Sequence, residues 1–432
     1  MLTAQALKQN DTTQQHAIGF FLVLVLAAFI FIRPQEIIPA LYGLPIIASL
    51  TVVCLLLALI TRRPIQLETP HYALIALVPV IVLSGILNGW AGGGVRSGLN
   101  FITGSLFPLL IFSLMLTTAS RHKLFMLLSL VAAVLIVHNG HVQQNSWDGF
   151  GWAGSEAIQD TRIRYIGILH DPNDVGMFLM INLPFAMFFL KHGNPLHKLA
   201  MLAVIPWLLY GVYMTNSRGT MLGIAGIIGL YFLLRYGGIK ALIASALATP
   251  VFLTIAAGFR AVSADEASAR GRLWAWWEGL EMLRANPLFG VGRGNFTNFN
   301  DLVAHNTFVQ VFAELGLIGY SLWIVALFFT LLIGYHTVNH IKAHRKEKVA
   351  EETAIAVTYF YSLIAFCLAA FFITRDNFVI YYIVLGAAIA AYQMAIQVQP
   401  SIKPDVKQTT KIALGAGLAI IPIVYLMLKV TL

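Results

Sequence analysis

Charge is scarce in this 432-residue chain. Asp, Glu, Lys and Arg make up 11% of it, where a soluble domain carries about 25%. Hydrophobic residues reach 58% and the mean hydropathy is +0.77, which excludes an ordinary water-soluble enzyme. Cysteine is nearly absent. Cys54 and Cys367 both lie within apolar runs, so a disulfide scaffold and a thiolate metal site are excluded and both read as packing residues. No dense His/Asp/Glu cluster appears, so a metal site is only weakly supported. No basic–aromatic stripe accompanies the net charge of +9, which argues against a nucleic-acid partner. The alternation of polar and apolar residues that marks a transmembrane barrel strand is also missing.

What the chain has instead is a series of continuous apolar runs, many of them close to the roughly 17–25 residues that cross a bilayer as helix. The pattern predicts an all-α polytopic integral membrane protein, one transmembrane domain across 1–432, with about 12–13 spans. Approximate limits are 17–32, 44–60, 72–88, 99–117, 123–138, 174–190, 198–214, 219–235, 239–258, 306–335, 354–373, 378–397 and 411–428. The first run ends at Arg33-Pro34 without a small-residue cleavage site, so it reads as a retained span and not as a signal peptide.

Lys and Arg orient the spans. One set of alternate loops holds 16 of the 28 basic residues, from Lys8 to Lys411, and marks the cytoplasmic face with the N-terminus on that side. The net positive charge is mostly this topological signal, with some attraction to anionic membrane lipids. Two longer loops, 139–173 and 259–305, then fall on the outer face. That face has an uneven composition: of its 12 basic residues 11 are Arg, whereas the cytoplasmic set has 5 Arg and 11 Lys. Topology does not distinguish the two residue types. Arg alone offers a planar fork for phosphate or carboxylate, so the set points to an outward-facing anion site, although any one arginine can also anchor a helix at the interface.

The second loop carries most of the candidate chemistry. From about 270 to 285, Leu273, Trp276, Trp277, Leu280 and Leu283 share one helical face, which predicts an amphipathic helix on the membrane surface with Arg270 and Arg272 at its start, facing lipid headgroups. Gly290-Val291-Gly292-Arg293-Gly294 allows close backbone approach and presents Arg293, but it has no βαβ context and is not a nucleotide loop. His305-Asn306 then opens a long apolar run. At a helix N-terminus the macrodipole disfavours imidazolium, so His305 is expected to be neutral and competent as a base. Glu314, nine residues on, lies about 180° around the helix from His305 and reads as structurally paired. Arg218 sits in the short outer turn Asn216-Ser217-Arg218-Gly219. In the first loop, Arg162, Arg164 and His170-Asp171-Pro172-Asn173-Asp174 read as a turn and helix cap whose acids could also position a sugar hydroxyl.

Taken in order, Asn216-Ser217-Arg218-Gly219, Gly271-Arg272, Trp274, Asn286-Pro287-Leu288-Phe289-Gly290-Val291-Gly292, His305-Asn306 and Glu314-Leu315-Gly316-Leu317-Ile318-Gly319 resemble the O-antigen ligase and polymerase superfamily across roughly 160–335. The resemblance implies a GT-C-like membrane glycosyltransferase of the bacterial inner membrane, with about twelve spans and its active site facing the periplasm. It implies transfer of a glycan from undecaprenyl diphosphate to an acceptor hydroxyl, which for a ligase belongs to the lipid A–core. Neither nucleotide sugar, cofactor nor metal is implied. His305 matches the family's histidine and is expected as general base, with Asn306 orienting ring or substrate. Arg218 matches its Ser-Arg arginine and is expected on the diphosphate, with Arg293 and then Arg272 as further candidates. Arg270, Arg164 and Asp171 are expected to contact substrate. The alternatives are an O-antigen polymerase, an O-linked protein oligosaccharyltransferase and, in a different class, a lipid or polysaccharide transporter, which predicts discontinuous mid-membrane helices and internal repeats.

Overall fold

A chain segment in lipid must satisfy its backbone internally, and each long apolar run here does so as helix. The computed structural model describes residues 2–62, 64–159, 161–237, 267–344 and 349–432. In chain order the helices are α1 (Leu2–Phe31, apolar from Ala17), α2 (Ile46–Thr61), α3 (Thr69–Leu87), α4 (Ala91–Met115), α5 (Ala119–Asn145), α6 (Pro172–His192), α7 (Pro195–Thr215) and α8 (Arg218–Tyr236). They are followed by α9 (Ala267–Ala285), α10 (Thr307–Ala343), α11 (Glu351–Ala370), α12 (Val379–Val398) and α13 (Val406–Thr431). Ten of these are long and apolar enough to cross a membrane, and α1 and α2 add shorter apolar segments. Twelve of the thirteen expected spans thus have a helix. The expected span 239–258 lies outside the described residues. Among the described residues, β pairing is limited to two isolated bridges in the first long loop.

Burial separates centre from rim. The apolar window of α12 is 83% buried and that of α6 is 78%, against 22% for α8 and α13. So α6 and α12, with α11 packed on both, form the centre, and α8 and α13 face outward. α3 packs on α4 and α10. Alternating helix direction gathers the connections 32–45, 88–90, 146–171, 216–217, 286–306 and 371–378 at one end of the bundle. Contacts between them hold that end together. Tyr165 Oη donates to the Ile32 carbonyl at 2.8 Å, Asn88 Nδ2 to the Gly290 carbonyl at 2.9 Å, and Thr307 Oγ1 to the Ile373 carbonyl at 2.7 Å.

Three local departures from the sequence reading have physical causes. α4 begins at Ala91, eight residues before the expected span, because its glycines let it lie against α3: a Cβ on Gly85 would stand 2.4 Å from the Gly94 Cα. α5 continues to Asn145, so the first long loop starts at 146 and not at 139. α10 is not one regular helix. Gly316 breaks it with φ 64° and ψ −170°, and the backbone of 287–292 fills the break. Val291 and Gly292 donate N–H bonds to the Ala313 and Glu314 carbonyls at 3.0 Å each, while Leu317 and Ile318 donate to Pro287 and Leu288 at 2.8 and 3.2 Å. The glycines of this loop therefore serve close approach to a helix. A Cβ on Gly290 would meet the Glu314 carbonyl carbon at 2.3 Å, and one on Gly316 would meet that of Leu288 at 2.4 Å.

Candidate functional site

The site grows from the start of α10. Asn306 is its N-cap, and Oδ1 accepts from the Phe308 and Val309 amides at 3.0 and 3.2 Å, as expected for an Asn with extended backbone at that position. Its Nδ2 is buried without a hydrogen-bond partner among the described residues. Spending Oδ1 on the cap leaves Nδ2 as the group able to meet a ring or a substrate. His305, one residue earlier, has φ 48°, a left-handed conformation that an L-residue adopts at some cost. Two supports hold the segment. Trp276 Nε1 donates to the Ala304 carbonyl at 2.7 Å, and the Ala304 amide donates to Gln310 Oε1 at 3.0 Å.

Those supports change the reading of α9. Trp276 faces the His305 segment, Trp277 stacks on Tyr425 with ring centres 6.4 Å apart, and Trp274 is exposed. Two of the three tryptophans make contacts within the protein, and Ala275, Met282 and Leu283 bury the inner face of the helix. Glu314 is also structural: Oε1 accepts from Gln310 Nε2 at 2.6 Å and from the Phe296 amide at 3.2 Å. One buried carboxylate thereby ties the Arg293–Phe296 turn and, through Gln310, the residue before His305.

The His305 ring is half-buried, and its pKa is lowered from the ordinary 6.5. Burial is the largest cause, followed by the positive charge of Arg272; Asp171 opposes the shift and Arg375 adds to it. The direction agrees with a neutral imidazole, and desolvation and two neighbouring guanidinium groups are its causes. The same interactions put His305, Arg272, Asp171 and Arg375 within electrostatic reach of one another.

Arg375 is the member that the sequence reading did not single out, and its partner is Asp174, read there only as one of the turn acids. The Arg375 guanidinium pairs bidentately with Asp174, Nη2 to Oδ2 being 2.6 Å, and the Asp174 side chain is almost wholly buried. Burial opposes charge on Arg375, but the bonds and charge of Asp174 outweigh it, so its pKa rises. The Arg375 amide also donates to Thr307 Oγ1 at 3.0 Å, joining the 371–378 turn to the head of α10. One signal was available: Arg375 lies in a short outer turn between two spans, as Arg218 does.

Arg218 is the first residue of α8. The preceding Ser217 caps that helix through the Thr220 amide and donates to Asn173 Oδ1 at 2.7 Å. Asn173 in turn donates to Asp171 Oδ1 from its amide at 2.7 Å and from Nδ2 at 2.8 Å. Arg162 completes the network from Nη2 to Asn173 Oδ1 at 3.3 Å. Asp171 is thus a helix cap whose charge also reaches His305. Gly219 lies against Phe372, beside the Arg375 turn.

The remaining candidates separate from this group. Arg293 pairs with Asp376 at 2.8 Å and lies over the Phe101 ring at 5.0 Å, its side chain 10% exposed. Arg164 bonds the Glu156 carbonyl through Nε and faces a cleft on the first loop. Arg270 is exposed, half a turn ahead of Arg272 on α9. Among the described residues no three His, Cys, Asp or Glu side chains gather as a metal-binding group.

A half-buried histidine beside an arginine cluster, on the loop end of an apolar bundle, suits proton abstraction next to an anionic, membrane-borne substrate. Residues 203–324 match the family model described as O-antigen ligase. The match, over less than a third of the chain, supports an O-antigen ligase family assignment and, broadly, an enzyme role. The matched region begins within α7 and ends within α10. It therefore contains Arg218, Arg272, Arg293 and His305, while Asp171, Asp174 and Arg375 come from segments on either side. Among curated proteins, none matches the chain.

Proposed function

We propose that this protein transfers a glycan from undecaprenyl diphosphate to a hydroxyl of the lipid A–core, at the periplasmic face of the bacterial inner membrane. The observation that carries the reading is the setting of His305: half-buried, biased to the neutral form, and flanked by Arg272 and Arg375. The Lys-rich opposite end of the bundle supports the orientation through the positive-inside rule.

In this reaction the acceptor oxygen attacks the anomeric carbon as the bond from that carbon to the diphosphate oxygen breaks, with inversion. His305 takes the hydroxyl proton. The departing diphosphate gains negative charge, and fixed cations already aimed at it stabilise that charge without reorganisation. Arg218, at the head of α8, and Arg272, close enough to bias His305, are the residues assigned to it. Arg293 is the weaker candidate because Asp376 already holds one side of its guanidinium. Arg375 is held by Asp174 and acts as a fixed positive charge that keeps His305 neutral.

The deciding experiment is the lipopolysaccharide profile of a deletion strain carrying either the wild-type protein or His305→Ala. The wild type restores long glycan on the core. The variant inserts in the membrane but leaves bare core, with long glycan stranded on the carrier lipid. Core bearing a single repeat would instead indicate a polymerase, and normal glycan attachment by the variant would remove His305 from the chemistry. The broken helix expected of a transporter is present in α10, but backbone from 287–292 closes the break and ties it by four hydrogen bonds, so it supports a fixed scaffold.

A further inference from the structure

The first long loop is built more firmly than a connector needs to be. Asn139 and Gln143, both buried near the end of α5, organise it from beneath. Gln143 Nε2 donates to the Ser155 and Arg164 carbonyls at 2.8 Å each, and Oε1 accepts from the Arg164 amide at 3.1 Å. Asn139 Oδ1 accepts from the Ala153 amide at 2.8 Å, and its Nδ2 donates to Ser155 Oγ at 3.1 Å. Opposite this loop, Arg33 pairs with Glu36 and packs against Gly167. Between the two walls lies a cleft of about 480 Å³, within the roughly 300–1,000 Å³ of small-ligand sites.

Its lining has a defined chemistry. Tyr42 and Phe150 present exposed aromatic surface, Glu36 and Glu156 present carboxylates, Arg164 presents donors and His170 an imidazole. Arg164 spends only Nε within the described residues, on the Glu156 carbonyl. His170 Nδ1 lies 3.0 Å from the Gly167 carbonyl. A carbonyl only accepts, so Nδ1 is the donor in this contact and Nε2 is left for another partner. Two carboxylates disfavour a phosphate here, and four ionisable groups disfavour an acyl chain. Aromatic faces interleaved with carboxylate, guanidinium and imidazole suit a ligand with apolar C–H faces and many hydroxyls.

We propose that this cleft is a saccharide subsite, holding a sugar chain so that its reacting end lies at His305. His170 lines the cleft, and the next residue, Asp171, accepts from Asn173, which accepts from Ser217 beside Arg218, so the cleft adjoins the end of the site that holds Arg218. The proposal rests on the glycosyl-transfer reading and adds where the sugar is held. The sugar can belong to the transferred glycan or to the acceptor core.

Saturation-transfer NMR on the full-length protein in detergent tests it, with two probes: glycan released from the carrier lipid and core oligosaccharide released from lipopolysaccharide. One probe gives saturation transfer with the wild type and with His305→Ala, which identifies the source. Tyr42→Ala and Glu156→Gln each weaken that binding by at least tenfold. Equal binding by the wild type and both cleft variants, loss of binding in His305→Ala, or no binding of either probe would overturn the subsite. The outcomes are separable from the transfer reading, because normal glycan attachment by His305→Ala would end that reading while leaving cleft binding intact.

Discussion

His305 is a base only while its ring is neutral, and three charges around it set that condition. Burial, Arg272 and Arg375 push its pKa below 6.5, and Asp171 pulls the other way. Activity should therefore be lost on the acid side, with the midpoint of kcat/KM below pH 6.5. Arg272→Gln removes a charge that opposes protonation, so the pKa rises and the acid limb moves to higher pH. Asp171→Asn removes a charge that favours protonation, keeps a residue able to cap α6, and moves the limb to lower pH. Limbs that stay in place in both variants would show that these charges do not act on the catalytic group. Arg218→Lys tests the cation at the head of α8. A point charge cannot reproduce a bidentate fork, so a loss of at least tenfold in kcat/KM is expected, and full activity would exclude bidentate contact with the diphosphate.

At the scale of elements, the break in α10 organises the site. Gly316 looks like a candidate for stabilisation by Ala on helix propensity, worth about 1 kcal/mol. With φ at 64° and a Cβ 2.4 Å from the Leu288 carbonyl carbon, the opposite sign follows. Gly316→Ala should lower the midpoint of thermal unfolding, since this positive-φ, extended-ψ region is essentially open only to Gly and costs another residue roughly 1–3 kcal/mol; an unchanged or raised midpoint would contradict the paired-backbone account. This break was not legible in the sequence, because Leu315-Gly316-Leu317-Ile318-Gly319 continues an apolar run and nothing local announces that residues 287–292 lie beside it. The Arg375–Asp174 pair was hidden for a related reason, its partners being 201 residues apart. Locally encoded features could be read. His305-Asn306 before an apolar run announced a helix start, Asp171 before Pro172 announced the cap of α6, and the apolar runs placed twelve helices to within a few residues at most ends. Glycine-rich 91–98 was misjudged as a connector because its helix depends on α3 for a close-packed partner.

For the whole molecule, the decisive property is that the arginine-bearing turns share one end and most of the described lysines the other. The orientation is testable without activity. Trp147, on the first long loop, is 97% exposed. Trp147→Cys should react with a membrane-impermeant maleimide added to spheroplasts, with little background from Cys54, which is buried, or Cys367, which lies within α11. Labelling only after the inner membrane is opened would reverse the topology and place the His305 group on the cytoplasmic side. The whole arrangement converges on one measurement: single-turnover transfer of glycan from its diphosphate carrier to lipid A–core by purified protein in nanodiscs, comparing the wild type with His305→Ala. Loss of a general base costs roughly 10²–10⁴-fold. A fall of that size, in a variant that keeps the wild-type unfolding midpoint, is the predicted result, and transfer at the wild-type rate would contradict the account.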